Sequence, residues 1–571
     1  MFKLVQKPLI GVLLLGFFVA GCASGTRPIV ADGQPETAFG HYVAGQHARQ
    51  IRDSRAAARY YLEALQRDPE NRLLLNRAFM LLLTDGRYRE ALRLAERIVE
   101  ESPGAGAAAI LLTLDSLKSG RFEAGRARLE RVSGTGFESL ISPIVLAWLH
   151  AGDGDAYQAI DALEPLGAIS SLRSYQDAHT AYIYDYLGRT DDADRAYRRV
   201  VNSSRLASLQ PVVAYGDFLV RADRTPEADA LYMEFLERYP DNEFLKLAAG
   251  RFKAGESAGS APRTPAEAVA LALFGAASEL GRENARRPAI IYARFTAFLD
   301  PDFDEVHILL GNLLLNEEHY DSAIEAFRRV PLSSPLRETA QLREAWVHDR
   351  RGDTGAAIAM LEAFVADRPD HVEALSTLGD ILRGQERFDE AGVRYTAAID
   401  AIDALGEASE KDWFIYFTRG IAYERTKQWP KAEADFFKAL ELKPDQPQVL
   451  NYLGYSWIDR GMHIQRAKAM IERAVEQRPN DGYIVDSLGW VHYLLGNYEQ
   501  AVSILERAVL LQPSDPTISD HLGDAYWKAG RPIEARFQWS HALENDPTPE
   551  QRELIADKLD FGLTLAEAAQ D

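Results

Sequence analysis

Apolar residues recur at i, i+3, i+4 and i+7 along most of the chain, and short polar turns interrupt them at regular intervals. The clearest copy of the pattern is Gly482 to Asp515, GYIVDSLGWVHYLLGNYEQAVSILERAVLLQPSD. Leu488, Gly489, Ala501, Leu505, Ala508 and Pro513 mark it out. Gly489, Ala501, Ala508 and Pro513 return 34 residues later as Gly523, Ala535, Ala542 and Pro547. A fixed period of this length means one supersecondary unit stacked on copies of itself. The spacing predicts two antiparallel helices per unit, joined near Gly496 or Gly530, where glycine tolerates a positive φ. Gly489 and Ala501 are small and let the two helices of a unit approach closely. Ala508 does the same against the next unit, and Pro513, lacking an amide hydrogen, ends the second helix. No unit can bury its apolar stripe alone, so the core is the stack itself. The expected fold class is all-α, a solenoid of antiparallel helix pairs with essentially no strand.

Taken in order, the repeats begin near Ala38, and Pro69 and Pro103 are one period apart. The pattern blurs between Gly106 and Gly255. Phe244 to Ala254 reads as a single helix, and Gly255 to Pro265 (GESAGSAPRTP) reads as a loop or linker. Beyond it the period is cleaner: Ala289, Ala323, Ala357 and Ala391 are spaced 34 apart, as are Pro301, Pro335 and Pro369. Residues Ala401 to Lys411 add seven positions, since Gly379 to Gly420 is 41. The phase gives about fourteen helix pairs. The amphipathic stretch Gln551 to Leu565 is expected to cover the last repeat, as the ends of such arrays require. The organisation expected is a divergent arm over 38–254, a linker over 255–265, a second arm over 266–547 and a cap over 548–571.

The first residues follow a different logic. Lys3 and Lys7 precede Leu9 to Ala20, an apolar run too short for a comfortable membrane span. Residues 1–21 therefore read as an export signal. Val19-Ala20-Gly21-Cys22 resembles the bacterial lipobox, which implies cleavage before Cys22 and lipid on its thiol. Acyl chains would anchor the protein by burying methylenes at ~0.8 kcal/mol each. Ala23, rather than Asp, follows Cys22. In the lipoprotein sorting rule this resembles, that permits transfer to the outer membrane, so a lipid-anchored place on its periplasmic face is expected. Residues 22–37 lack periodicity and read as a tether. Cys22 is the single cysteine, which excludes intrachain disulfides and multi-cysteine metal sites. The net charge of −21 argues against a nucleic-acid partner, because it repels phosphates.

Catalytic patterns are sparse. The twelve histidines form no H-E-x-x-H, and His492 and His521 lack a neighbouring ligand at metal-site spacing. Gly454-Tyr455-Ser456-Trp457-Ile458 starts like a nucleophile elbow but lacks the second glycine and lies in a predicted helix. Gly104-Ala105-Gly106-Ala107-Ala108-Ala109 imitates a dinucleotide loop without the strand that must precede it. Gly152-Asp153-Gly154-Asp155 lacks the later ligands of a calcium loop. The expectation is a non-enzyme with no cofactor.

The repeat resembles the tetratricopeptide repeat family (TPR), whose signature is W-x2-L-G-x2-Y, A-x3-F and P. Trp413, Gly420, Tyr423, Ala432, Phe436 and Pro444 carry the likeness, which extends over about Ala38 to Pro547. It implies a superhelical solenoid whose first helices line an inner groove, largely through positions 2, 5, 9, 12 and 13 of each unit. Carried over, these are Phe414, Phe417, Ile421, Glu424 and Arg425; Asn451, Tyr455, Ile458 and Asp459; Tyr483, Asp486, Trp490, Tyr493 and Leu494; and Thr517, Asp520, Asp524, Trp527 and Lys528. Asn451, Asp486 and Asp520 each stand three residues before the unit's glycine. They form a carboxamide and carboxylate ladder beside aromatic residues, suited to proteins or extended peptides. The alternative is that these aromatics only pack one first helix on the next. Lipobox, length and strong C-terminal repeats also resemble the lipoprotein adaptors of carboxyl-terminal processing proteases. That likeness implies binding a periplasmic serine protease and its peptidoglycan hydrolase substrates. Two other readings are an assembly factor for a secretion, pilus or polysaccharide-export machine, and an enzyme with an unrecognised site.

Overall fold

The computed structural model describes residues 37–132, 138–170, 172–203, 208–240, 242–255 and 261–563. Cys22, the export signal and most of the tether lie outside these residues. The described chain is α-helical from Ala38–Gln50 to Pro549–Phe561, with no strand among the described residues. Packing divides it into two compact units that meet in sequence at Gly352 and Asp353.

The N-terminal unit holds eight helix pairs, from Ala38–Gln50 with Ser54–Arg67 to Asp304–Asn316 with Tyr320–Arg328. Three further helices, Glu164–Gly167, Glu243–Lys253 and Arg337–Arg351, stand outside these pairs. The C-terminal unit opens with Thr354–Asp367. Five pairs follow, from Val372–Gly384 with Phe388–Leu405 to Pro516–Lys528 with Pro532–Glu544, and Pro549–Phe561 closes the described chain. Arg337–Arg351 packs on Tyr320–Arg328 and Asp304–Asn316 in the first unit, and Thr354–Asp367 packs on Val372–Gly384 in the second, so thirteen pairs stand among the described residues where the sequence phase gives about fourteen. The seven extra positions after Ala401 lengthen Phe388–Leu405 and add a short 3-10 turn at Glu410–Asp412.

Inside a pair, one contact sets the spacing. A Cβ placed on Gly420 would lie 2.6 Å from Phe436 Cε1, and one on Gly379 would lie 2.6 Å from Tyr395 Cε1. The same meeting occurs at Gly311 with Phe327, Gly489 with Leu505 and Gly523 with Trp539. In each case the partner is sixteen residues downstream, on the second helix. The glycine is a slot that admits a large side chain, and this is why the helices lie close. Ala432 and Ala439, fully buried, flank the ring and leave room for it.

Seven residues after each of these glycines comes the turn. Gly496 and Gly530 adopt φ of 77° and 78° there. Glu318, Glu386 and Lys427 hold the same left-handed position, with φ of 60°, 60° and 62°. A residue with a Cβ is strained in this region by about 1–2 kcal/mol.

The N-terminal unit departs from a simple stack. Helix Pro265–Arg282 packs on Gly106–Lys118 and Glu138–Gly152, while Arg286–Leu299 packs on Arg72–Thr84 and Gly106–Lys118. The first helices of the second, third and fourth pairs are thus covered by a later pair of the same chain. The polar ties match: Arg294 Nε donates to the Thr84 carbonyl at 2.7 Å, and Tyr88 Oη to the Arg294 carbonyl at 2.8 Å. Arg52 donates to the Glu317 carbonyl at 2.7 Å, and Arg55 pairs with Glu325. The segment 255–265 read as a linker falls inside this unit. The physical reason is that Arg286–Leu299 is apolar nearly all round, burying Ala289, Ile290 and every residue from Tyr292 to Leu299. Such a helix needs partners on more than one side.

Two substitutions probe this geometry with opposite signs. Gly420→Ala drives a methyl into the Phe436 ring and should lower stability by about 1–3 kcal/mol, the usual range for overpacking. Glu386→Gly relieves the left-handed strain and should raise it by up to about 1 kcal/mol. The check is the urea midpoint of the full chain; equal midpoints for the two variants would refute the slot and the turn together.

Candidate inner-face site

The residues expected to line the groove come to two separate places in the C-terminal unit. The first is an aromatic cluster at the start of helix Trp413–Arg425. Phe417 is buried, with its ring 6.0 Å from Phe436 and 5.8 Å from Tyr452. Phe414 packs its edge on Trp413 but stays 42% exposed. Glu424 accepts from Arg460 at 3.0 Å and from Tyr452 Oη at 3.3 Å.

The second place is built by three successive first helices, Pro447–Asp459, Gly482–Leu494 and Pro516–Lys528, which pack side by side. Asp481 and Asp515 cap the last two, each accepting from backbone amides of the first turn. The caps fix where both helices start, and their side-by-side packing brings Asp486 opposite His521. His521 Nδ1 donates to the two Asp486 oxygens at 3.0 and 3.1 Å. The His521 ring stacks on Trp490 at 4.1 Å, and Trp490 stacks on Tyr493 at 4.5 Å with only 11° between the planes. Tyr455 lies half-buried beside this group, its phenol raised by burial and then by Asp486 and Asp459. Asn451, also half-buried, has an Oδ1 with no hydrogen-bond partner.

Asp520 and Asp524 are engaged from outside the repeats. Lys558, on helix Pro549–Phe561, donates to both Asp520 oxygens at 2.9 Å and to Asp524 Oδ2 at 2.8 Å. Asp524 Oδ1 accepts from Trp539 Nε1 at 3.0 Å. Trp527 is half-buried, 5.5 Å from the Trp539 ring, and Lys528 is half-buried at the end of the same helix.

The structure therefore brings Tyr455, Asp486, Trp490, Tyr493, Asp520, Asp524 and Trp527 into one region and keeps Phe414 and Phe417 apart from it. Trp490 and Tyr493 pack against neighbouring first and second helices, Tyr493 also meeting Tyr498 at 5.7 Å. The sequence reading missed His521 as the partner of Asp486, and Lys558 altogether. A signal for Lys558 existed: it continues the stripe Gln551, Leu554 and Ile555 at helical spacing, on the side of the cap that faces the repeats. No cluster of metal-ligating side chains occurs among the described residues.

The charges are unevenly solvated. Burial, and then Asp520, push the Asp524 carboxyl up to about 6 against the pull of Lys558. Burial lowers the His521 imidazole, but Asp486 more than reverses this, so it ends above its ordinary value. Lys558 is likewise lowered by burial and raised further by Asp524 and Asp520. It stays charged.

Four segments, residues 42–106, 342–399, 463–517 and 487–548, match the tetratricopeptide repeat model. Among curated proteins, TPR repeat-containing protein PA4667 of Pseudomonas aeruginosa is 25% identical over 199 residues, 35% of this chain and 32% of its own length. Human tetratricopeptide repeat protein 13 is 24% identical over 190 residues, 32% of this chain and 21% of its own. The chain thus spans about a third or less of these relatives. The Cut9–Hcn1 hetero-tetramer of the APC/C aligns at a TM-score of 0.41 and 14% identity, covering 93% of this chain and 97% of that one. Yeast Tom70 aligns at 0.32 and 14%, covering 93% and 95%.

The buried charges give a pH signature. His521 binds its proton more tightly folded than unfolded, so its contribution is complete below about 6.5 and fades as pH rises through the raised folded value. Asp524 adds the same sign over its own window, from about 4 to about 6. Amide protection of helix Pro516–Lys528, corrected for intrinsic exchange, should therefore exceed that of the His521→Gln variant most at pH 6. The margin should shrink by pH 8.5. A pH-independent margin would show that the Asp486–His521 pair carries no charge.

Proposed function

We propose that this tetratricopeptide repeat protein, an all-α solenoid, is a non-enzymatic scaffold that captures protein partners on the inner face of its C-terminal unit. One observation carries this reading. The first helices of the N-terminal unit's second to fourth pairs pack against a later pair of the chain and leave Leu73 exposed at 52%, whereas those of the C-terminal unit keep three such residues, Phe414, Tyr483 and Leu494, exposed at 42%, 36% and 46%. Exposed aromatics beside buried carboxylates suit a protein surface with some extended or helical character.

The finer proposal is a lipid-anchored adaptor at the periplasmic face of the outer membrane. It recruits a periplasmic carboxyl-terminal processing protease together with cell-wall hydrolases. The Cys22 motif, the chain length and the repeats near the C-terminus support it. Catalysis then belongs to the partner, and this chain supplies proximity. Holding two proteins on one scaffold replaces a bimolecular encounter with a nearly intramolecular one. The competing reading, an assembly factor for an export or pilus machine, shares the anchor and the surface and differs only in what is captured.

Affinity capture of the tagged full chain from membrane extract distinguishes them. A serine protease with peptidoglycan hydrolases is the expected catch, while secretin or pilus subunits would overturn the adaptor reading. Phe414→Ala combined with Tyr483→Ala should reduce capture about tenfold or more, with helicity unchanged by circular dichroism, as expected when aromatic anchors worth about 1–2 kcal/mol are removed. Unchanged capture would move the site elsewhere. Trp527→Ala is a poor probe of binding, because Trp527 packs on Trp539 and its loss also costs stability. Cys22→Ala should release the protein from the membrane fraction; retention there would remove the lipid anchor from the proposal.

A further inference from the structure

Helix Pro549–Phe561 does more than close the array. Its start is locked by a capping box, in which Thr548 Oγ1 accepts from the Gln551 amide and Gln551 Oε1 accepts from the Thr548 amide. Gln551 Nε2 then donates to Thr517 Oγ1 at 2.9 Å. Lys558, 6% exposed, reaches Asp520 and Asp524. Gly562 lies flat on Trp527, where an added Cβ would sit 2.4 Å from Cζ2. Thr517, Asp520, Asp524 and Trp527 are the inner-face positions of the last pair. The helix sits on all four.

Capping alone does not require this. An end repeat needs its apolar face covered, and Ile555 and Leu563, 1% and 2% exposed, do that. Burying an ammonium and two carboxylates carries a desolvation cost, which makes such a pair poor evidence for stability and better evidence for specificity. The geometry is particular: three oxygens converge on one compact point, which fits the three donors of an ammonium and not the planar fork of a guanidinium. Vacated, Asp520 and Asp524 would be left beside each other, partly buried and without their cation. An unpaired buried charge is strongly unfavourable, so whatever displaces the helix must bring a cation of its own.

We propose that the inner face of the last pair is a socket for a lysine-bearing helix of a partner protein, and that Pro549–Phe561 is its resident occupant, displaced on binding. This rests on the scaffold reading above. The incoming helix carries a lysine and, four residues later, a glycine or another residue small enough to lie on Trp527.

The test uses the full chain and a fluorescein-labelled synthetic peptide of residues 546–563. The Lys558→Met chain, with its resident helix weakened, should bind this peptide at least tenfold tighter than the wild-type chain by fluorescence anisotropy. The same peptide with methionine in place of its lysine should not bind. Adding Asp520→Asn to the Lys558→Met chain should abolish capture. Ile555→Ala loosens the resident helix while keeping every charge, and should also expose the socket if Lys558→Met disturbs folding of the last pair. Equal peptide binding by wild-type, Lys558→Met and Ile555→Ala chains would overturn the proposal, as would equal binding of the lysine-free peptide. Peptide capture with no partner recovered from membrane extract would leave the socket standing and sink the recruitment reading; partners recovered without peptide capture would do the reverse.

Discussion

The contact between a mid-helix glycine of the first helix and the side chain sixteen residues downstream, made at Gly311, Gly379, Gly420, Gly489 and Gly523, is what the regular part of the solenoid depends on. It fixes how close the two helices of a pair lie and therefore where the next pair begins. With an alanine there the ring or branched chain must retreat, and the misfit is transmitted, because each pair rests on its neighbour. Ring size varies from repeat to repeat, being tyrosine at Tyr395, phenylalanine at Phe436 and tryptophan at Trp539, while the glycine stays. The leucine at Leu505 fills the same slot opposite Gly489.

This regularity explains what could be read from the sequence. The 34-residue period, the helix pairs, the turns at Gly496 and Gly530 and the cap on the last pair all follow from contacts within one unit or between neighbours. Such contacts leave a repeating signal. The packing of Arg286–Leu299 on Arg72–Thr84 joins segments about two hundred residues apart and occurs once, so no period records it. Its trace is compositional: a helix whose apolar residues spread over nearly all its faces has no place in a simple two-layer stack. The same holds for the proline- and glycine-bearing segment 255–265. Its composition describes local backbone, and the packing of the helices on either side into one unit is a long-range fact.

The inner-face residues show the same division. Asp486, Asp520 and Asp524 stand where the repeat phase puts them, on successive first helices. Their state could not be read from phase, because it depends on His521 in the next unit and on Lys558 beyond the last repeat. A carboxylate at a groove position is open to a partner only if no cation of the same chain reaches it first. Asp486 is met by a histidine whose own protonation it stabilises, and Asp520 and Asp524 by a lysine. Phe414 and Tyr483, by contrast, remain exposed at 42% and 36%.

These differences separate two kinds of surface on one scaffold. Exposed aromatics offer affinity with little selectivity, since any apolar side chain of suitable size gains by covering them. Buried carboxylates work the other way. They add little net affinity, because each partner must surrender its hydration, but they penalise every ligand that lacks a matching cation. In the proposed scaffold the two kinds of surface would discriminate by exclusion: many proteins could cover the aromatics, and few could replace Lys558. The resident helix sharpens this further, since a competitor must also overcome the burial of Ile555 and Leu563. Selectivity in such a protein resides less in the repeats, which are alike, than in the one helix at the end that is not a repeat.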